Sequence, residues 1–222
     1  MSANESILPN IQAVQAPYNG GPSAYRTPPP DLPSLLLKER IVYLGMPLVP
    51  QVAELIVAEL LYLQYEDPEK PIKVYINSMG SLGFESDAFA ICDTMSYIKP
   101  PVHTICLGSA VGMAALLLAG GTKGFRASLP NAKIVLQQPQ SQARGQATDI
   151  EIQTQEVIRT KKMVVDVMSN YTGQDPERIS KDMNRRFYMD PVEAKEYGII
   201  DTVLDPQSPA AKLPAAANSG IG

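Results

Sequence analysis

The stretch Gly-Ser-Ala-Val-Gly-Met-Ala-Ala-Leu-Leu-Leu-Ala-Gly-Gly, residues 108–121, decides the fold of this chain. It follows a run of β-forming residues, 102–107, and continues into a helix of small apolar residues. A strand, a tight turn at small residues and a helix N-terminus together make the usual platform for a nucleophile, because the turn exposes one side chain beside unpaired N–H groups. The tip of this turn is predicted at Gly112, which has no nucleophilic atom.

The composition favours a globular domain with tails. The chain has 222 residues, a net charge of −4 and 45% hydrophobic residues, and it contains no apolar run of 18 residues, so no membrane span is expected. The mild acidity gives no reason to expect nucleic acid. Cys92 and Cys106 lie in apolar segments and are predicted to be buried thiols. The N-terminus has no secretory pattern and no basic residue before Arg26, so the expected location is the cytoplasm.

Strands and helices alternate between two irregular ends. Residues 1–33 are rich in proline and are expected to form a flexible arm, residues 34–204 the domain, and residues 205–222 a disordered tail. The predicted strands are 40–45, 72–76, 102–107, 133–136, 187–189 and 199–204, and the predicted helices are 48–63, 86–98, 112–120, 148–171, 175–184 and 191–197. Residues 148–151, Thr-Asp-Ile-Glu, predict a capping box, and Gly173 and Gly198 predict helix ends. The alternation indicates an α/β domain with a mainly parallel sheet covered by helices.

Several short stretches of the sequence together resemble those of a known protein family. Taken in order and at near-family spacing, residues 34–204 resemble the proteolytic-subunit family of the ATP-dependent Clp protease, whose fold is crotonase-like. The matching stretches include Leu-Leu-Lys-Glu-Arg (36–40), Tyr-Ile-Asn-Ser (75–78), Gly-Thr-Lys-Gly (121–124), Leu-Pro-Asn (129–131), Gly-Gln-Ala-Thr-Asp-Ile-Glu-Ile (145–152) and Glu-Ala-Lys-Glu-Tyr-Gly (193–198). The resemblance implies a heptameric ring and a strand–helix handle, residues 137–148 with the following helix, that pairs two rings.

The resemblance also implies the positions of a catalytic triad. The family serine falls on Gly112, the histidine on Gln137 and the aspartate on Arg186. All three are replaced, so the chain is similar to ClpR, the non-catalytic homologue of cyanobacteria and plastids. This implies an inactive subunit of a protein quality control protease, with no cofactor. Its implied partners are active Clp subunits in mixed rings, further copies of itself, and an Hsp100 ATPase. The plastid stroma is the less favoured location.

The chemistry agrees with this expectation. Glycine cannot attack a carbonyl, and a glutamine amide takes up no proton at pH 7. A cation in place of the aspartate, about 4 Å from a developing imidazolium, costs on the order of 1–4 kcal/mol. The only histidine, His103, is expected to be a structural strand residue. Ser109 is expected to bond backbone in the turn.

Two alternatives remain open at this stage. One is an active serine-type endopeptidase with a rearranged site. The other is a crotonase-like acyl-CoA enzyme with Glu85 or Asp87 as its base. The loop at residues 77–84 has Met79 where the family has proline and Ser81 where it has a second glycine. Reduced peptide binding is therefore expected, with a tolerated surface insertion as the alternative.

Two surfaces are expected to serve assembly. Apolar residues follow the long helix after the handle: Ile150, Val157, Ile158, Val164 and Met168. An ordinary amphipathic helix would explain this periodicity, but not the Gly-Gln-Ala-Thr start that the chain shares with the family. For the Hsp100 partner, the resemblance implies apolar pockets at the edge of the ring, and the candidate linings are Tyr43, Leu48, Tyr62 and Phe84, each of which could equally belong to the core.

Overall fold

A computed structural model describes residues 31–81, 83, 85–141 and 144–205 of the chain. In this part the elements follow in the order α1 (Leu32–Lys38), β1 (Ile41–Leu44), α2 (Pro50–Glu66), β2 (Ile72–Ser78), α3 (Glu85–Tyr97), β3 (Val102–Val111), α4 (Met113–Ala119), β4 (Arg126–Ser128), β5 (Lys133–Leu136), α5 (Ala147–Thr172), α6 (Pro176–Asp182), β6 (Phe187–Met189), α7 (Pro191–Tyr197) and β7 (Thr202–Val203). The predicted alternation of strands and helices is confirmed, and the domain has a crotonase-like α/β fold.

The sheet is parallel except at one strand. Its main order is β1-β2-β3-β4-β7, and β5 joins the far end of β3. The first half of β3 pairs with β4, and its last residues, Ser109 to Val111, pair with Lys133 to Val135 of β5. Strand β6 runs antiparallel to β5, so that Leu136 lies opposite Phe187. This arrangement places the ends of β3, β5 and β6 side by side.

The core lies on one face of the sheet, under α2, α3 and α4. All seven residues of α4 are buried, which explains why this helix consists only of small and apolar residues. In β2, Ile72, Val74 and Ile76 face this core, and Lys73 and Tyr75 alternate with them on the other face. That second face of β1, β2 and β3 stays partly exposed, because nine of the 21 residues in these strands are not buried.

Four local predictions differ from the structure. Strand β3 continues through the small residues 108–111, so the predicted turn shrinks to Gly112. The capping box is wrong, because α5 begins at Ala147 and its N-cap, Gln146, makes no side-chain bond to the helix. Strand β4 was missed because it has only three residues. Helix α1 was missed because it carries no buried residue and therefore no apolar periodicity.

Two further predictions concern the ends of elements. The predicted last strand is reduced to the two residues of β7. The predicted helix ends at Gly173 and Gly198 are confirmed, and both glycines adopt the left-handed conformation that this position favours. The last residues of the predicted N-terminal arm belong to α1, and residues 1–30 and 206–222 lie outside the described residues.

A buried arginine ties the C-terminal part to the sheet. Arg126 of β4 is 4% exposed, and its guanidinium forms an ion pair with Asp201 at 2.7 Å. The same group donates to the carbonyl oxygens of Ala119 and Tyr171, near the C-terminal ends of α4 and α5. Burial opposes ionisation of Asp201, but the hydrogen bonds and charge of Arg126 outweigh it and lower the pKa of this carboxyl.

Candidate active site

The turn between β3 and α4 has the backbone geometry of a nucleophile elbow. Gly112 is its tip, with φ +55° and ψ −113°, a conformation that side chains rarely adopt. Its N–H donates to the carbonyl oxygen of Val135 at 2.8 Å, and its own carbonyl accepts from the first turn of α4. A Cβ atom at this position would lie 3.7 Å from Cβ of Gln137, an ordinary contact. Glycine therefore fits the backbone here, and the space for a side chain remains empty.

The pairing of β5 with β6 brings Gln137 and Arg186 together. Leu136 and Phe187 are paired across the two strands. Gln137 directly follows Leu136 and Arg186 directly precedes Phe187, so both side chains lie at the same end of this strand pair. Nε of Arg186 donates to Oε1 of Gln137 at 3.0 Å. The structure thus gathers all three predicted site residues, since Gln137 also faces Gly112. The acceptor oxygen of the amide is engaged by a cation, and no group in this pair can accept a proton near neutral pH.

A second cation lies beside this pair. The ammonium group of Lys161, on α5, donates to Oε1 of Gln138 at 3.2 Å and to Oδ1 of Asn184 at 2.9 Å. Gln138 directly follows Gln137 in sequence, and Asn184 lies two residues before Arg186. Sequence reasoning missed Lys161, because its position 23 residues away from either acceptor gives no local signal. Positive charge at this edge disfavours the imidazolium that a histidine base would form.

The cavity over Gly112 is small. It measures about 10 Å³, which is space for one water molecule at most. Its described lining includes Met79, Ser81, Glu85, Val111, Gly112, Met113, Gln137, Gln138, Pro139 and Gln140. Glu85, which was considered as a crotonase-type base, does line this cavity, and Oγ of Ser81 lies 3.4 Å from its carboxylate.

The loop after β2 packs tightly against the elbow. Gly80 has φ +83°, and a Cβ atom there would lie 2.2 Å from the carbonyl oxygen of Val111, so only glycine fits. The N–H of Gly80 donates to Oγ of Ser78 at 3.1 Å, and that hydroxyl donates to the carbonyl of Met46. The Gly80 N–H is therefore engaged within the loop. Residues 82 and 84 lie outside the described residues.

His103 and Ser109 do not belong to the site around Gly112. His103 precedes Gly112 by nine residues on the same strand, a distance of about 30 Å. Its ring stacks on Phe125 with centroids 4.2 Å apart, and burial together with the charge of Lys73 lowers its pKa. Ser109 donates from Oγ to Oδ1 of Asn77 at 3.3 Å. The predicted backbone bond in a turn is wrong, because β3 extends past this residue.

The described residues offer few other sites. Both cysteines are buried and free, and burial raises the pKa of Cys92 to about 12 and that of Cys106 to about 11. Within the described ranges, no group of three or more His, Cys, Asp or Glu side chains is placed to hold a metal ion. None of the helices in this part of the chain is long and apolar enough to cross a membrane.

The fold and site define a mainly parallel α/β domain built around a nucleophile-elbow turn, and comparisons give its family. The sequence model of the Clp protease family matches residues 29–207, and the chain belongs to this family. It is 57% identical over 216 residues to an ATP-dependent Clp protease proteolytic subunit-like protein of Synechococcus elongatus, covering 90% of this chain and 94% of the relative.

Two further relatives carry informative names. The ATP-dependent Clp protease proteolytic subunit 2 of Gloeobacter violaceus is 57% identical over 196 residues, covering 88% of this chain and 89% of that protein. The chloroplastic Clp protease proteolytic subunit-related protein 4 of Arabidopsis thaliana is 54% identical over 200 residues, covering 87% of this chain and 65% of that protein. These names support a ClpR-like member of the family, of the cyanobacterial and plastid kind.

Proposed function

We propose that this chain is a catalytically inactive structural and regulatory subunit of an ATP-dependent Clp protease core. It assembles with active serine-peptidase subunits in mixed rings and works with an Hsp100 unfoldase. The degenerate triad positions are Gly112, Gln137 and Arg186. The observation that carries this proposal is the Gln137–Arg186 hydrogen bond of 3.0 Å beside an elbow whose tip is glycine. Nucleophile, base and orienting carboxylate are all replaced in one compact site, where acyl transfer needs each of them.

The cavity supports reduced peptide binding at this site. Directly above Gly112 the space is about 10 Å³, too little for a peptide side chain at that point, and the Gly80 N–H that could polarise a bound carbonyl is engaged by Ser78. The chain is therefore proposed to contribute walls to a chamber in which its neighbours cut peptide bonds.

The exposed half of α5 supports a role in pairing rings. Its buried residues, Val164, Val165 and Met168, all lie in the C-terminal half. One side of the N-terminal half carries Ile150 and Ile158, which are 39% and 63% exposed. A projecting helix with an apolar face needs a partner, because exposed apolar surface of this kind is typical of protein interfaces. The proposed partner is the same helix of a subunit in the opposing ring.

The proposed Hsp100 contact depends on two of the four residues that were predicted as pocket linings. Tyr43 and Tyr62 are 50% and 53% exposed and remain candidates for the lining of a docking pocket. Leu48 is fully buried, so of its two predicted places, pocket lining or core, the structure supports the core. Phe84 lies outside the described residues.

The two enzymatic alternatives find less support. A rearranged peptidase would need His103 as its base, and that ring lies about 30 Å from Gly112. A crotonase-like enzyme would gain a carboxylate from Glu85, but the family model that matches residues 29–207 is that of the Clp proteases. The proposed location is the cytoplasm, with the plastid stroma as the alternative. The proposed domain is the predicted range 34–204, extended at its start to Leu32, where α1 begins; the arm and the tail (205–222) are proposed to flank it.

Co-purification tests this proposal. The tagged chain is isolated from its own cells, and its partners are identified by mass spectrometry and assayed with a fluorogenic peptide. The proposal expects active Clp subunits and an Hsp100 ATPase among the partners, and no hydrolysis by the chain alone. Peptide hydrolysis by a homogeneous preparation would overturn it. A coenzyme A titration with measurable binding would favour the crotonase alternative.

A further inference from the structure

Arg186 is a cation without a counter-charge in the part of the chain that the structure describes. Its side chain is exposed, and the ion pairs among the described residues do not include it. The described lining of the cavity over Gly112 contains one carboxylate, that of Glu85, and these ion pairs do not include it either. The chain as a whole has a net charge of −4. An unpaired arginine at this site is therefore available to an anionic ligand.

Two further cations lie beside Arg186. Arg185 precedes it in the chain and is exposed. Lys161 donates to two neutral amide oxygens nearby, and neither cation belongs to an ion pair of the described residues. The neighbouring groove between α5 and α6 adds two cations and two carboxylates, which balance each other: Lys162, Lys181, Asp166 and Glu177. The three unpaired cations together give this edge of the site a positive potential, which attracts anions.

The hydrogen bond to Gln137 holds the guanidinium of Arg186 and leaves its outer edge free. Nε is the donor to Oε1 of Gln137 at 3.0 Å, and this is the one hydrogen bond that the guanidinium makes to a described residue. The two Nη groups can therefore donate side by side, and the planar fork that they form matches the two oxygens of a carboxylate. Because Gln137 already restrains the fork, less conformational freedom is lost when a ligand binds.

The space around the elbow decides which carboxylate fits. Directly above Gly112 the cavity measures about 10 Å³, so a peptide cannot continue over the elbow past Gln137. A peptide that stops at Arg186 does not need this space. The site therefore favours the end of a peptide over its middle, and the end that carries a carboxylate is the C-terminus.

We propose that the degenerate site binds the C-terminal carboxylate of a peptide. The Nη groups of Arg186 donate to the two carboxylate oxygens, and Gln137 positions the guanidinium. Hydrolysis of a peptide bond creates such a carboxylate on one of its two products. The inference rests on the proposed function, in which neighbouring subunits cut peptide bonds in a shared chamber. The ligand is thus a peptide product held by its end, and an extended substrate is excluded by the small space over Gly112.

Three labelled peptides test the site in the purified full-length chain. They share one short neutral sequence and an N-terminal rhodamine label. The first has a free C-terminal carboxylate, the second a C-terminal amide, and the third a C-terminal amide with one internal glutamate. Fluorescence anisotropy should show that the free acid binds about tenfold more tightly than either amide. Equal binding of the free acid and the plain amide would overturn the proposal. Equal binding of the free acid and the glutamate peptide would overturn the choice of the C-terminus.

Matched variants test the role of the Arg186 fork. Arg186→Gln should reduce the affinity for the free acid to that for the amide, and Arg186→Lys should recover little of the difference, because an ammonium group has no planar fork. Arg185→Gln makes the same change of charge at the adjacent exposed position and should change the affinity by less than about threefold. Equal losses in Arg185→Gln and Arg186→Gln would overturn the proposed fork. Circular dichroism confirms that each variant is folded.

Gln137→Ala tests the positioning role separately. It frees the guanidinium without removing it, so binding of the free acid should weaken about threefold while the preference for the acid over the amide remains. An unchanged affinity would contradict a positioning role for Gln137. The proposed function does not depend on any of these affinities, since it depends on inactivity and on co-assembly. Hydrolysis of the labelled peptides by the chain itself would contradict the proposed function instead.

Discussion

Replacing Gly112 by serine supplies the missing nucleophile and leaves the rest of the site unchanged. The added Cβ atom would lie 3.7 Å from Cβ of Gln137, so no steric clash is expected. The cost comes from the backbone, because φ +55° with ψ −113° is strained for any residue with a side chain. Strain of this kind costs about 1–3 kcal/mol. For a chain of this size, the expected decrease in Tm is roughly 2–12 °C.

The serine variant is expected to remain inactive. Removing either the serine or the histidine of a triad costs about as much as removing all three residues, so restoring the serine alone recovers almost nothing. The hydroxyl would have Gln137 beside it, and the oxygen of that amide is already bonded to Arg186. Labelling by a fluorophosphonate probe and hydrolysis of a fluorogenic peptide should both stay at the level of the unmodified chain.

Two further variants make this prediction sharp. The triple variant Gly112→Ser, Gln137→His, Arg186→Asp restores base and orienting carboxylate and should react with the probe at least about 10²-fold faster than the single variant. Gly80→Ala is the control for backbone strain, because its Cβ would lie 2.2 Å from the carbonyl oxygen of Val111. It should cost more than about 3 kcal/mol, clearly more than Gly112→Ser. Rapid probe labelling of the single serine variant would refute this account, because it would reveal a base elsewhere.

The remaining predictions concern stability, thiol reactivity and assembly. Asp201→Asn leaves Arg126 buried with an unpaired charge and should lower the free energy of unfolding by about 3 kcal/mol at pH 7. The pKa of Asp201 is lowered in the folded chain, so the free energy of unfolding of the wild type should decrease as the pH falls below about 4. Urea titrations should show that this free energy depends less on pH in the variant. Cys92 and Cys106 should resist a thiol reagent at pH 8 until the chain unfolds, because burial raises their pKa values to about 12 and 11. Rapid labelling of the native protein would contradict their burial. Ile150→Asp with Ile158→Asp should prevent ring pairing in light-scattering measurements while changing the stability of the isolated chain by less than about 1 kcal/mol, because the two side chains are 39% and 63% exposed. An unchanged assembly mass would exclude this face of α5.

Much of the fold was predictable because its signals are local. The helix Pro191–Tyr197 was predicted with correct bounds, since an aspartate N-cap, a proline in the first turn and a C-terminal glycine act within a few residues. Strands β5 and β6 were also predicted with correct bounds, as short runs between turn residues. The elbow at Gly112 was predicted because a β-forming run followed by small apolar residues is typical of a strand that turns tightly into a helix.

The missed features depend on contacts that are distant in sequence. The end of β3 was placed too early because glycine and serine are weak strand formers, whereas pairing with β5 extends the strand to Val111. The Gln137–Arg186 hydrogen bond joins residues 49 positions apart, and only the β5–β6 pairing reveals it. The buried position of Leu48 depends on its bridge to Ser81 and its bond to Gly80, so helical spacing wrongly included it in the helix that begins at Pro50.

The central claim is that this chain assembles with active Clp subunits and performs no acyl transfer itself. The most direct test treats the co-purified complex with a fluorophosphonate probe and measures the intact mass of every subunit. We expect the probe adduct on the partner subunits alone, with the mass of this chain unchanged although it is present in the same particle. A stoichiometric adduct on this chain, or a particle of active subunits from which it is absent, would contradict the account.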